Sequence, residues 1–477
     1  MRILMVASEA LPFAKTGGLG DVLAALPHAL AQLGHHVDVV IPRYRGVSAG
    51  TPAVRITVPL GGVVATAEVS TTIVEGVRFV LLDHPGYFDR ESLYGTGGQD
   101  YADNAERFAF LSRGALEWAA TQPRYDVIHA HDWQTGLVPV YLRREFATHP
   151  VLGGVPSVFT IHNLAYQGIV APNWLTRLGL GQDLFHLDGL EFCGNISLLK
   201  GGVMFARTVT TVSPRYAEEI QTPEYGCGFD GIMRFRRADL VGIVNGIDYD
   251  QWDPAHDGML PAPYDATRLE GKQLAKEVAL KAFDIPVTAE TRGRLLVGMV
   301  SRMIDQKGFD LLAALATELP GLDATFVLQG TGERQYEDAW LALTARHPHR
   351  IAAKIGYSEE MAHLIIGGAD LFLMPSRFEP CGLTQMYSQR YGTVPLVRAT
   401  GGLADTVRNL DPATGEGTGF MFDDYSPAAL LGTLRWALRI YQDGAAWRRM
   451  QRAGMAREFA WGASARAYVQ VYAKAAA

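Results

Sequence analysis

Short apolar runs alternate with amphipathic stretches along most of the chain. Runs of this kind, separated by stretches with helical spacing, are typical of a parallel sheet covered by helices on both faces. Ligands bind such sheets beyond the carboxyl ends of the strands, so the residues that follow each run are the candidates for function. The predicted strands of the first half are residues 3–7, 37–41, 127–130, 157–161, 208–212 and 241–244, and the predicted helices include 22–33, 105–120 and 214–220.

Residues 55–82 depart from this pattern. Apolar and polar positions alternate there, and Gly-Gly and Glu-Gly pairs interrupt the alternation. This arrangement is typical of antiparallel strands joined by tight turns. We therefore expect an antiparallel extension at one edge of the first sheet.

A second series of runs follows residues 246–254, whose Gly, Asp and Pro residues indicate a linker. The chain is too long for one ordinary core. We predict an α/β fold with two Rossmann-like, doubly wound domains that face each other across a deep cleft. The predicted strands of the second half are 295–300, 325–329, 352–355, 371–374 and 395–397, and the predicted divisions are a first domain at 1–245, a hinge at 246–254, a second domain at 255–455 and a C-terminal helix at 456–477.

The composition narrows the possible partners. The 477 residues contain 43 Lys and Arg against 50 Asp and Glu, which argues against nucleic-acid binding because neutralising phosphates needs a basic surface. Neither a bilayer-spanning apolar run nor a secretory signal pattern is evident in the sequence. Three scattered cysteines fit a reducing compartment. We expect a cytoplasmic protein with no membrane partner.

Residues 15–21, Lys-Thr-Gly-Gly-Leu-Gly-Asp, follow the first predicted strand and begin a helix. The backbone amides at Gly17 and Gly18, the helix dipole and the charge of Lys15 would suit an anion. A tight turn alone would also explain the glycines, and without Lys15 the two interpretations would be about even. The loop fits neither the dinucleotide-binding nor the P-loop pattern.

This loop resembles the Lys-x-Gly-Gly donor loop of bacterial glycogen synthases and plant starch synthases. The resemblance extends over nearly the whole chain, with five motifs in the same order. It implies two facing Rossmann-like domains of the GT-B type, ADP-glucose as the donor, an α-1,4-glucan such as glycogen as the acceptor, and retention of the α configuration. It also implies that Lys15 contacts the donor phosphates and that the C-terminal helix packs back on the first domain.

Two histidine motifs follow neighbouring predicted strands, His-Ala-His-Asp-Trp at 129–133 and Thr-Ile-His-Asn-Leu-Ala-Tyr-Gln-Gly at 160–168. Taken alone, His129 and His131 could begin the zinc site of an amidohydrolase, with His162 as a further ligand. A lone histidine is more often a structural residue, and we expect this of His129. Both motifs also resemble the glycogen synthase family closely.

For these motifs the resemblance implies that Asp132 and His162 contact the transferred glucose and that Trp133 and Asn163 lie near it. One departure is Gln134, where many relatives have histidine. This departure concerns the acceptor contacts rather than the chemistry of the transfer.

In the second half, residues 300–308 read Val-Ser-Arg-Met-Ile-Asp-Gln-Lys-Gly and follow a predicted strand. Arg302 and Lys307 can converge on a diphosphate, because the guanidinium supplies directed hydrogen bonds and the ammonium a movable charge. Two surface cations would be the ordinary interpretation. The spacing resembles the family's Arg-x-x-x-x-Lys pair, which implies a role at the phosphates of the leaving nucleotide.

Residues 376–384, Ser-Arg-Phe-Glu-Pro-Cys-Gly-Leu-Thr, resemble the family's signature motif residue for residue. Glu379 would present a carboxylate in the cleft. The amides of Gly382, Leu383 and Thr384 would form a positive helix terminus directed at phosphate. A surface glutamate before proline is the ordinary alternative for Glu379.

Other residues give weaker signals. Cys381 is expected to line the donor site, and Tyr357 resembles the aromatic residue that stacks on adenine in relatives. Tyr387 lies eight positions after Glu379, where the wider class of retaining transferases often has a second glutamate, so we assume no second carboxylate there. The Asp-Tyr-Asp at 248–250 imitates a metal-binding motif of another transferase fold, but its place in the linker argues against a metal.

The sequence thus predicts a retaining glucosyltransferase that needs no metal or cofactor. Lys15, Arg302 and Lys307 would stabilise the leaving diphosphate, while Glu379 and Asp132 would stabilise positive charge on the sugar. Three alternatives stay open at this point: a nucleotide-sugar hydrolase or epimerase on the same fold, a zinc amidohydrolase, and a non-catalytic glucan-binding protein.

Overall fold

The computed structural model describes residues 1–50 and 54–477 in full and residues 51–53 by their backbone. The chain forms two compact units. Unit 1 contains Met1–Gly246 and Trp461–Ala477, and unit 2 contains Ile247–Ala460. The chain therefore leaves unit 1 within the predicted linker and returns to it after Ala460. The hinge itself stays a prediction.

Unit 1 is built on a nine-stranded sheet with the order β14-β13-β9-β8-β1-β2-β5-β4-β3. The strands of unit 1 are β1 (Arg2–Val6), β2 (His36–Pro42), β3 (Thr51–Leu60), β4 (Val63–Val74), β5 (Val77–Asp83), β6 (Gly95–Thr96), β7 (Gln99–Asp100), β8 (Val127–His131), β9 (Ser157–Ile161), β10 (Ile169–Val170), β11 (Glu191–Phe192), β12 (Asn195–Ser197), β13 (Thr208–Thr211) and β14 (Leu240–Gly242). Its helices are α1 (Gly18–Gln32), α2 (Pro85–Phe88), α3 (Asn104–Ala119), α4 (Leu137–Arg144), α5 (Trp174–Arg177), α6 (Leu198–Phe205), α7 (Pro214–Glu219), α8 (Asp230–Phe235) and the C-terminal helix (Trp461–Ala476).

The pairing in this sheet follows the hydrophobic pattern. β1, β2, β8, β9, β13 and β14 pair in parallel, and all of them except β14 are mostly buried, which accounts for the apolar runs in this part of the chain. β3 and β4 pair antiparallel, as do β4 and β5, and the alternating pattern of residues 54–60 in β3 reflects one exposed face. Both the parallel core and the antiparallel extension predicted at 55–82 are confirmed.

The C-terminal helix belongs to the core of unit 1. It packs on α1 and contacts β8 and β9. Its buried face consists of Trp461, Ala465, Tyr468, Val471, Tyr472 and Ala475, a spacing that lines one side of an α-helix. The last helix of the chain thereby lies beneath the strands that carry the histidine motifs.

Unit 2 is built on a parallel six-stranded sheet with the order β17-β16-β15-β18-β19-β20. Every strand predicted for this half is present. The elements are α9 (Glu270–Ala282), α10 (Ala289–Gly293), β15 (Leu295–Val300), α11 (Phe309–Ala314), β16 (Ala324–Gly330), α12 (Arg334–Arg346), β17 (Ile351–Ile355), α13 (Glu359–Gly368), β18 (Leu371–Met374), α14 (Thr384–Arg390), β19 (Val394–Arg398), α15 (Gly401–Thr406), β20 (Phe420–Phe422), α16 (Pro427–Tyr441) and α17 (Gly444–Met455).

The strand order of unit 2 reverses between β15 and β18, which neighbour each other although they are not consecutive in the chain. A crevice for ligands forms at such a switch point, outside the carboxyl ends of the strands. Residues 300–308 follow β15 and residues 376–384 follow β18, so the topology brings these two motifs to the same edge. Among the described residues no helix is long and apolar enough to span a membrane.

Candidate active site

Asp132 lies directly after β8 in a conformation that few residues adopt. Its φ of 58° is in the left-handed region, where a residue with a Cβ is strained and persists only if the surroundings hold it. Its carboxylate oxygen Oδ1 accepts the backbone N–H of His162 at 2.7 Å. Burial raises the pKa of Asp132 to about 7, and a contribution in the same direction comes from the charge of Glu9.

Three imidazoles form a contiguous group behind Asp132. His129 and His131 have ring centroids 4.0 Å apart, and His131 Nδ1 lies 3.0 Å from His162 Nε2. Burial lowers the pKa of His129 and of His162 to about 3 and that of His131 well below its usual value. All three are therefore neutral at pH 7 and act as hydrogen-bonding groups rather than charges.

The hydrogen bonds of His129 argue against the zinc alternative. Its Nδ1 lies 2.8 Å from the Tyr472 hydroxyl and its Nε2 lies 2.6 Å from Thr160 Oγ1. Both ring nitrogens are thus engaged by hydroxyl groups, and neither is available to a metal. Among the described residues no group of three or more His, Cys, Asp or Glu side chains is arranged to hold a metal ion.

Trp133 is fixed close to Asp132. Its ring lies edge-on to Phe108 at 5.4 Å between centroids, and a Cβ at Gly168 would come within 2.5 Å of it. Trp133 also lines a pocket of about 340 Å³ within unit 1. Asn163 follows His162, and its side-chain oxygen accepts the N–H of Ala165 at 3.0 Å. The four residues assigned to sugar contacts in this unit are therefore brought together.

The lysine loop is held by two carboxylates. Lys15 Nζ pairs with Asp21 Oδ1 at 2.6 Å. The amides of Thr16 and Gly17 donate to Glu9 Oε2 at 2.5 and 3.3 Å. The Gly17 amide, which we expected to bind an external anion, thus already binds a carboxylate of the protein. The first residue of α1 is Gly18, so its amide, unlike that of Gly17, belongs to the first turn of the helix.

Lys307 and Glu379 form an ion pair in unit 2. Lys307 Nζ lies 2.9 Å from one carboxylate oxygen of Glu379 and 2.6 Å from the other. The Ser376 hydroxyl donates to the same carboxylate at 3.0 Å. Glu379 is only 5% exposed, so the alternative interpretation of a surface glutamate is wrong. The pair joins the two motifs that the sheet topology brings to one edge.

Arg302 lies on the exposed side of this edge. Its guanidinium is 3.4 Å from Gln306 Oε1, and Gln306 in turn contacts the backbone carbonyl of Phe378. Arg302 is thus placed near the Glu379 motif, and within the described part of the chain most of its N–H donors have no side-chain partner. Tyr357, at 69% exposure, follows β17 and presents a large aromatic surface to solvent.

The segment from Cys381 to Thr384 forms a tight turn before α14. Gly382 has a φ of 70°, and a Cβ there would come within 2.4 Å of the Gln385 side chain, so only glycine fits. Leu383 is the N-cap of α14, and Thr384 is its first residue. Cys381 is buried as a thiol. Because α14 covers only seven residues, its dipole contributes less than a long helix would.

Tyr387 has a structural role that the sequence did not predict. Its ring stacks on Trp252 with centroids 4.0 Å apart, and His363 stacks on the opposite face at 3.7 Å. The position that carries a second glutamate in many retaining transferases is therefore occupied here by an aromatic ring packed in this stack. At 248–250, Asp248 accepts the amide of Asp250 at 2.9 Å and so closes a local turn.

Comparisons with known proteins agree with this geometry. Residues 2–235 match the family model described as the starch synthase catalytic domain, and residues 281–453 match the one described as glycosyl transferases group 1. The glycogen synthase of Koribacter versatilis is 47% identical over 479 residues, which covers 100% of this chain and 98% of that protein. The chain belongs to the glycogen synthase and starch synthase family.

More distant relatives agree. The glycogen synthase of Moorella thermoacetica is 43% identical over 482 residues, covering 100% of this chain and 97% of that protein. The catalytic domain of Starch Synthase IV from Arabidopsis thaliana, solved with ADP and acarbose, is 32% identical with a TM-score of 0.91 and covers 99% of both chains. Sucrose-phosphate synthase from Thermosynechococcus elongatus, 18% identical with a TM-score of 0.61 over 99% of this chain and 98% of that one, shares the fold.

Family membership settles several predictions. The two-domain α/β fold of the GT-B type and the activity of a retaining hexosyltransferase of the glycogen synthase class are confirmed. Membership favours a transferase over the hydrolase, epimerase and binding-protein alternatives.

Glu9 and Tyr94, whose hydroxyl donates to Glu9, were not identified as site residues from the sequence. The only available signal was an acidic residue three positions after an apolar strand, with no motif around it.

Proposed function

We propose that this enzyme transfers glucose from ADP-glucose to the non-reducing end of an α-1,4-glucan such as glycogen, in the cytoplasm and with retention of configuration. The ion pair between Lys307 and Glu379 carries the proposal. It places a carboxylate and an ammonium together at the switch point of the unit 2 sheet. When the bond between the sugar and the diphosphate breaks, the two fragments develop opposite charges. An enzyme that acts on a sugar diphosphate therefore needs a positive and a negative group close to each other.

The leaving diphosphate needs positive charge. We assign this task to Lys15, Arg302 and Lys307, whose charges replace the metal ion that many phosphate sites use. Arg302 supports the assignment because its guanidinium is exposed and, among the described residues, makes a single long side-chain contact, with Gln306. The turn at Gly382, Leu383 and Thr384 adds backbone amides.

The sugar needs negative charge, since it acquires oxocarbenium character as the bond to the phosphate breaks. We assign this task to Glu379 and Asp132. Both are carboxyl groups largely removed from water, where electrostatic stabilisation is stronger than in solution. Asp132 contributes when it is ionised. His162, held by its contacts to Asp132 and His131, supplies a hydrogen bond to a sugar hydroxyl.

The remaining assignments concern binding. Trp133 and Asn163 adjoin the glucose, as expected from their positions beside Asp132 and His162. Tyr357 offers an exposed ring on which adenine can stack, and Cys381 lines the donor site. The starch synthase structure solved with ADP supports an adenine nucleotide as the leaving group.

The test measures ADP release and glucose incorporation from ADP-glucose in the presence and absence of glycogen. We expect both products in equal amounts, and only with glycogen. ADP release that ignores glycogen would instead indicate a hydrolase. UDP-glucose in the same assay measures the donor preference, for which we expect the adenine nucleotide to be used faster.

A further inference from the structure

The carboxylate of Glu9 lies inside unit 1 at the base of the lysine loop. The residue is 3% exposed. Its Oε2 accepts the amides of Thr16 and Gly17 at 2.5 and 3.3 Å, and its Oε1 accepts the Thr16 hydroxyl at 2.6 Å and the Tyr94 hydroxyl. Four neutral donors thus surround one carboxylate, which is the arrangement that a buried charge requires.

These donors include the backbone that leads into α1. The N-cap of α1 is Gly17, which has no side chain to accept a hydrogen bond. Glu9 supplies an acceptor from eight residues upstream and places negative charge beside the positive end of the helix dipole. The loop is therefore shaped from inside by Glu9, while Lys15 contacts Asp21 on its exposed side.

The same carboxylate lies near the sugar-binding residues. β1 and β8 are neighbours in the sheet and run parallel, so the segments that follow them emerge at one edge. Glu9 follows β1 and Asp132 follows β8. The charge of Glu9 raises the pKa of Asp132, whereas the amides of His162 and Asn163 lower it. One buried acid thus contacts the lysine loop and influences the sugar-binding aspartate.

We propose that Glu9 is a positioning residue of the transfer site, which holds the lysine loop in its donor-binding shape by occupying the amides of Thr16 and Gly17. This inference rests on the proposed function. It changes one part of the expected site, because the donor phosphates then meet the side chain of Lys15 rather than these two amides.

The test is the substitution Glu9→Gln, which keeps the shape but replaces one accepting oxygen with an NH₂ group. That group faces donors and cannot accept from them. We expect the KM for ADP-glucose to rise about tenfold, because hydrogen bonds to a charged group are lost. The KM for glycogen should change much less.

The pH profile provides a readout that a purely structural role would not move. Without the charge of Glu9 the pKa of Asp132 falls, so Asp132 stays ionised to lower pH. The acid limb of kcat should therefore move to lower pH in Glu9→Gln. The matched control is Glu106→Gln, since Glu106 also accepts a tyrosine hydroxyl in unit 1, that of Tyr87 at 2.7 Å. It should leave both the KM and the acid limb unchanged.

Hydrogen exchange separates this proposal from the proposed function. The amides of Thr16 and Gly17 should exchange faster in Glu9→Gln than in the wild type, whether or not the protein transfers glucose. A wild type without transfer from ADP-glucose would refute the proposed function alone. An active wild type whose Glu9→Gln variant keeps the same KM, pH profile and exchange rates would refute the role of Glu9. If Glu9→Gln does not fold, Thr16→Val removes one of the four donors and is tested in the same way.

Discussion

The carboxyl edge of the unit 1 sheet carries neutral imidazoles and a carboxyl group whose pKa lies near 7, whereas the carboxyl edge of the unit 2 sheet carries a formed ion pair. In unit 1, burial removes the charge from His129, His131 and His162. In unit 2, Lys307 and Glu379 are also withdrawn from water, but their opposite charges pair with each other. Both edges arise from the same parallel architecture.

We infer that the difference separates two tasks. Neutral imidazoles, fixed by hydroxyl groups and by one another, are suited to orienting an uncharged sugar through directed hydrogen bonds. A cation beside an anion is suited to a bond that breaks into charged fragments. Mutations at the unit 2 edge should therefore affect the rate most. Mutations behind the unit 1 edge should change the rate less, because they alter only the position or the protonation of the groups at that edge.

The largest effect is expected from Glu379→Gln. Loss of its charge should lower kcat by about 10²–10³-fold, since a group that stabilises the transition state is removed while the shape is kept. Thermal denaturation checks that the fold is intact. The control is Glu416→Gln, whose glutamate pairs with Arg408 at 2.8 Å on the surface of the same unit and should have no effect on kcat. Similar rates for both variants would contradict a catalytic role of Glu379.

An intermediate effect is expected from pH. The pKa of Asp132 is about 7, so below this value the group takes up a proton and no longer stabilises positive charge on the sugar. Activity should therefore fall on the acid side of about pH 7, while the histidines, with pKa values far lower, add nothing there. Asp132→Asn should be slow at every pH and lack this limb. An unchanged acid limb in Asp132→Asn would assign it to another group.

The smallest effect is expected from Tyr472→Phe on the C-terminal helix. Its hydroxyl bonds His129 Nδ1, and its loss should cost about 1 kcal/mol of unfolding free energy and lower kcat a few-fold through the histidine group. Tyr468→Phe is the matched control. The Tyr468 ring, like the Tyr472 ring, lies 5.6 Å from the His129 ring, but the two His129 nitrogens are hydrogen-bonded to Tyr472 and Thr160 rather than to Tyr468. Equal kcat values in the two variants would show that the helix does not position the site.

The sequence predicts the framework of this enzyme well for a physical reason. Parallel strands are buried on both faces and therefore appear as continuous apolar runs, and the residues that follow such runs include Asp132, His162, Arg302 and Glu379. Candidate positions at strand ends can thus be located from the apolar pattern, whereas the roles expected of these residues come from the resemblance to the family.

The contacts that tune these residues could not be predicted in this way. Tyr472 lies 343 residues from His129, and Tyr94 lies 85 residues from Glu9. The aromatic stack around Trp252 likewise joins three distant segments. Such partners meet only through tertiary packing, so no local spacing reveals them. The protonation states that burial imposes depend on the same packing.

The most direct test of the account is an experimental structure with ADP bound. We expect the side-chain nitrogens of Lys15, Arg302 and Lys307 all to lie within hydrogen-bonding distance of the diphosphate, about 3 Å, with Glu379 facing the space next to the β-phosphate. A diphosphate bound away from these three side chains would contradict it.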